Sequence, residues 1–141
     1  MDFAKFLKTE KGITCTDPAL VQVDLSEFRK QKDYTHLTTH IINEITDAVL
    51  QSQSRGVDTC RVVVTAKGFN KKNADLQYAI YIIKLLQSAF VDRLETCYFR
   101  DPPQLFVTFW KVVANFVDKD TKKKLQILQG DEVKTLCEFV D

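Results

Sequence analysis

The 141-residue chain has little of what would make it strongly charged, catalytically armed or membrane-spanning. Its 20 basic and 19 acidic side chains leave a formal charge of +1, so no overall field gathers nucleic acid and any anion binding has to be local. Glycine occurs four times and proline three times, beside 45% hydrophobic residues, which argues for a globular fold and against a disordered or fibrous one. The stretch "AKGFNKKN" has one glycine, too few to cradle a pyrophosphate with backbone N–H groups. Cys15, Cys60, Cys97 and Cys137 are widely spaced with no CxxC pair; neither a zinc module nor a disulfide framework is signalled, and they read as reduced, mostly buried thiols. No run approaches the roughly 18 apolar residues of a spanning helix, and "MDFAKFLKTEKG" lacks the apolar core of a secretory signal. These absences predict one soluble, cytoplasmic domain over residues 1–141, without linker or internal repeat.

Catalytic signatures are missing too. There is no GxSxG-type elbow, and only two histidines could serve a nucleophile. His36 and His40 stand four apart with Glu44 another turn on, a spacing that can put two imidazoles and a carboxylate on one helix face. No HExxH pattern accompanies them, and they alternate with threonines, so a solvated helix surface is the reading. No catalytic residue, metal or cofactor is assigned.

What the chain does have is pattern. Residues 1–17 permit a short helix and a loop ending at Pro18; "ALVQVDL", 19–25, alternates like a strand. Leu37, Ile41 and Ile45 recur at helical spacing behind Asp33, predicting a helix over 34–53. "TCRVVVTA", 59–66, reads as a central strand buried on both faces. Residues 73–91 predict a helix that is apolar on two stripes, "ETCYF" a short strand, and Pro103 the first turn of a helix through about Phe116. "KKLQIL" is the last strand, followed by a short amphipathic helix on Val133, Leu136 and Val140. Alternating strands and helices place the chain in the α/β class, with crossover helices on a largely parallel sheet.

The helix after Pro103 carries Leu105, Phe109, Val112, Val113 and Phe116 on one stripe, with Phe106 and Trp110 widening it. Core packing is one account. Two successive helices that are apolar on more than one face also suggest more apolar surface than one sheet covers, and a cavity or a membrane would take up the excess.

Four blocks resemble the CRAL-TRIO lipid-binding domains, which include the phosphatidylinositol and phosphatidylcholine transfer proteins. "VVVTAKGF" is similar to the family's central strand and lysine-glycine turn. "AFVDRLETCYFRDPPQLF" resembles its Tyr-Pro-Glu-Arg-Leu segment, next strand and proline turn; "FWKVVANFVDKDT" is similar to its gating helix, and "KKLQIL" to its Lys-Ile-x-x-Leu strand. The match is best over 57–129. It implies a three-layer fold and non-enzymatic binding of a phospholipid, a phosphoinositide above all. Asp92 and Lys124 would serve the headgroup, and Phe106, Phe109, Trp110, Val113 and Phe116 the pocket and its gate. For Asp92 and Lys124 the alternative is an exposed ion pair worth at most about 1 kcal/mol. The resemblance also implies transient contact with a membrane surface and a peripheral location. Seventeen residues before the first strand cannot build the family's N-terminal helical subdomain, so a minimal member is expected, its pocket shallower, open, or completed by a protein partner or by self-association. The competing expectation is a protein-interaction or scaffold module of the same fold, of the small-GTPase-regulator type, with the pocket reduced or lost.

Overall fold

The computed structural model describes residues 1–10, 17–129 and 132–135. Three consecutive valines build the centre of the sheet: β3 (Cys60–Thr65) pairs in parallel with β2 (Leu20–Asp24) on one side and β4 (Leu94–Arg100) on the other. β5 (Leu125–Gln129) continues in parallel beside β4. Short antiparallel strands, β1 (Leu7–Glu10) and β6 (Glu132–Thr135), close the two edges. The spatial order is the chain order, β1 through β6.

That order decides where the helices go. α2 (Thr35–Gln53) crosses from β2 to β3, α3 (Leu76–Ala89) from β3 to β4, and α4 (Gln104–Val113) from β4 towards β5. Each connection between parallel neighbours is right-handed in nearly all proteins, so strands that advance in one direction put every crossover helix on the same face. The core agrees: its buried strand residues are Leu7, Val21, Cys60, Cys97, Phe99, Leu125 and Ile127, with Val62 and Val64 packed against them. The alternate positions, Gln22, Val63, Tyr98 and Leu128, belong to neither core cluster. The α/β class and the largely parallel sheet are as expected. The three crossover helices share one face of the sheet because the strand order never reverses.

Expectations about single elements are corrected. The N-terminal residues form a helix of only four residues, α1 (Phe3–Phe6), and then the strand β1 where a loop was expected. Val133 lies in β6, antiparallel to β5 with Leu128 as its register partner, and not in a helix; Leu136 and Val140 lie outside the described residues. β3 is not buried on both faces: only Cys60 is buried along it.

Residues read as a solvated helix surface instead fasten the edge strand. His40 Nε2 lies 2.8 Å from the Leu7 carbonyl. Glu44 accepts the Thr9 N–H at 3.0 Å, and its own carbonyl accepts the Thr9 hydroxyl at 2.7 Å. After β3, Gly68 takes φ +82 in the turn that returns Phe69 to the core, a conformation that costs glycine little. An extra residue in β4, between the pairs Cys60–Leu94 and Arg61–Thr96, forms a bulge. By shifting the alternation it lets Leu94 and Cys97 both face the helices.

Candidate functional site

α3 is the most apolar of the crossover helices after α4, yet Tyr78 is its only buried residue. Ile82, Ile83 and Leu86 are half-buried, and so are Val62 and Val64 on the central strand opposite. Residues at the middle of a helix-on-sheet core are normally shut off from solvent. Here the two layers stand apart around a cavity of about 330 Å³. Its floor is the helical face of β2 to β5, and its roof is α3 together with Phe106, Phe109, Trp110 and Val113 of α4. The volume falls at the lower end of small-ligand sites, which run from about 300 to 1,000 Å³.

α4 forms one wall by packing hard against the sheet. The Trp110 ring lies 4.8 Å from Phe99, and Phe106 lies 5.3 Å from Phe99 and edge-on to Phe69 at 5.5 Å. Its start is set by the double proline, with Pro103 extended and the Val107 N–H reaching back to the Pro103 carbonyl at 3.1 Å. A 3-10 turn at Ala114–Phe116 ends it. The outer side of the same helix is apolar too: Leu105, Val112 and Phe116 are 41, 43 and 37% exposed.

The wall contains few polar side chains: Asn73, Asp75, Gln87, Arg93 and Thr121. Asn73 is committed to the fold, donating to the carbonyls of Ser26 and Phe28 and accepting the Asn70 N–H. Arg93 and Thr121 mark a more polar end, where the chain enters β4 and β5. The Arg93 guanidinium donates to the Asp58 carbonyl at 3.2 Å and keeps partial solvent access. Thr121 sits in the short α5 (Lys119–Lys122), capped by Asp118, whose carboxyl the Thr121 N–H holds below the usual carboxylate range. Two thiols, Cys60 and Cys97, complete the floor. Burial pushes them up to about 11 and about 12, so they are inert at neutral pH. Cys15 and Cys137 lie outside the described residues.

Of the site residues read from sequence, Phe106, Phe109, Trp110 and Val113 are brought together in the wall. Phe116 is not; it lies outside the wall with the Lys84 ammonium 4.8 Å from its ring centroid. Asp92 sits exposed in the turn before β4 at φ +58, and Lys124 is half-buried just ahead of β5. Neither is part of the wall, and among the described residues no ion pair joins them. Sequence reasoning missed Gln87, Arg93 and Thr121. Arg93 lies beside Asp92 and Thr121 three residues before Lys124, so the quoted blocks contained both, but polar residues in turns carry no periodic signal.

The family model of the CRAL/TRIO domain matches residues 11–141. The chain belongs to the CRAL-TRIO family. These are lipid-binding domains, generally transfer proteins rather than enzymes. Among solved structures the chain is similar to one titled "Crystal structure of Sfh5", with a TM-score of 0.70 at 17% identity, a likeness of fold. The alignment covers 87% of this chain and 48% of that one, so this CRAL-TRIO domain spans about half the length of its structural relative. No curated protein gave a significant match.

Proposed function

We propose that this CRAL-TRIO domain binds one phospholipid, a phosphoinositide in the first instance, with acyl chain in the cavity and headgroup at the polar end, and carries out no chemical conversion. The observation that carries the reading is the cavity itself: apolar floor and roof held apart where an ordinary two-layer core would close. Burying acyl methylenes contributes about 0.8 kcal/mol each. Six to eight of them therefore supply about 5–6 kcal/mol before the cost of ordering the chain. The headgroup falls to Arg93, Thr121 and Lys124, with Asp92 accepting hydroxyl hydrogen bonds. A lysine holds phosphate as a strongly hydrated point charge, and an arginine as a planar fork.

α4 is the gate in this reading. Its outward Leu105, Val112 and Phe116, with Lys111 next to Val112 in sequence and Lys84 over the Phe116 ring, suit an anionic membrane surface, where each lysine is worth about 1 kcal/mol. Among the described residues no helix is long and apolar enough to cross a membrane. Peripheral attachment at a cytoplasmic membrane face is the matching location.

A protein-interaction reading rests on a different feature, the far face of the sheet, where Val63, Tyr98 and Leu128 carry no helix above them among the described residues. It makes the cavity dispensable. One experiment separates the two. Purified protein is incubated with vesicles of phosphatidylcholine containing phosphatidylinositol or phosphatidylinositol 4-phosphate, re-isolated, and its lipid extracted and identified. Uptake near one lipid per chain is expected, with a roughly tenfold loss of phosphoinositide in Lys124→Ala for a lost charge-assisted contact. Protein that takes lipid from no vesicle rules the proposal out.

A further inference from the structure

α3 is held differently at its two ends. At its start Asp75 accepts both the Tyr78 N–H, at 3.1 Å, and the Tyr34 hydroxyl, at 2.5 Å. The hydroxyls of Tyr78 and Thr38 share a hydrogen bond of 2.8 Å, and the rings of Tyr34 and Tyr78 stack at 3.9 Å. These contacts tie α3 to α2 through a largely buried aromatic cluster. At its far end the helix meets the segment after α4 along a solvent-exposed seam. There one side chain grips two backbone groups. Gln87 Nε2 donates to the Phe116 carbonyl at 2.9 Å, and Gln87 Oε1 accepts the Asp118 N–H at 2.8 Å. One turn earlier, Lys84 lies against the Phe116 ring.

Gln87 is also part of the cavity wall, as are Leu86 and Phe90 on its side of the seam and Val113 and Val117 on the other. Parting the seam therefore opens the cavity. Exposed hydrogen bonds exchange readily for bonds to water, whereas opening the other end would separate half-buried hydrogen bonds and break a ring stack. We propose that Gln87 is the latch of the cavity's port: ligand enters and leaves between the C-terminal half of α3 and residues 113–118, and the paired hydrogen bonds of Gln87 keep that port shut between exchanges. This rests on the cavity reading above and adds where the cavity opens and which residue sets the rate.

The test uses N-phenyl-1-naphthylamine, an uncharged probe that fluoresces in apolar surroundings and makes no demand on the headgroup residues. Stopped-flow uptake and release are followed for the full chain, Gln87→Leu, Gln87→Glu and, as a control at the anchored end, Tyr34→Phe. Gln87→Leu should exchange probe about tenfold faster in both uptake and release, equivalent to about 1.4 kcal/mol of lost latch. Gln87→Glu keeps the acceptor for Asp118 N–H and loses the donor to Phe116, and should fall between. Tyr34→Phe should lower the melting temperature and leave the exchange rate alone. Equal rates in Gln87→Leu and the unaltered protein overturn the latch and leave the cavity reading standing. Equal acceleration by Tyr34→Phe also overturns it, since loosening anywhere would then suffice. An unaltered protein that takes up no probe overturns latch and cavity reading together.

Discussion

Cys60 and Cys97 show how a single buried group couples the cavity floor to stability. Both thiols stay protonated in the folded protein well above the ordinary value of 9.0, to about 11 and about 12, because burial penalises the thiolate. The unfolded chain ionises first as pH rises. Above about pH 9, then, unfolding releases protons and stability falls, by up to about 1.4 kcal/mol per pH unit for each thiol, until the folded thiols ionise in turn. Urea unfolding of the double variant Cys60→Ala/Cys97→Ala should lose stability more gradually between pH 9 and 11 than the unaltered protein. Identical slopes would mean that the thiols are not shielded on the floor as described. The sequence placed both cysteines in strands; that both face the cavity floor follows from the register of β3 and β4.

At the scale of elements, α4 carries two separable jobs on two faces. Trp110→Ala removes a ring buried against Phe99 and Phe106 and should cost about 3–5 kcal/mol in chemical denaturation. Leu105→Ser with Phe116→Ser alters the outer face and should move stability by no more than about 0.5 kcal/mol. The same pair should weaken co-sedimentation with anionic vesicles several-fold. A pair that bound vesicles as tightly as the unaltered protein would remove α4 from the membrane contact.

The breadth of α4's apolar arc, and the second stripe on α3, were legible in the sequence as an excess of apolar surface, and the excess turned out to line a cavity. β2 and β3 were legible from their valines, and β4 and β5 as short apolar runs bounded by turn and proline signals. β1 and β6 were not, for a physical reason: both are four-residue edge strands whose pairing is decided by a neighbour's exposed edge, not by their own composition. The face on which the helices lie was hidden as well, because it depends on strand order, and local sequence does not encode that order. Gln87 carries no signal in the sequence, because its two partners, Phe116 and Asp118, come within its reach only in the fold.

At the scale of the whole molecule, the account stands on two layers that do not fully close. Val62 on the central strand and Ile83 on α3 both line the space between them, so replacing each with phenylalanine fills the space from floor and roof. In a packed core such a change costs about 1–3 kcal/mol, whereas in a real void it is tolerated or stabilising. The most direct measurement is native mass spectrometry of the unaltered protein and of Val62→Phe/Ile83→Phe after incubation with phospholipid vesicles, alongside their melting temperatures. The account expects one lipid per chain in the first, none in the second, and a melting temperature in the second at least as high. A filled variant that carries lipid as readily as the unaltered protein, or one that unfolds because no void was there to fill, would contradict it.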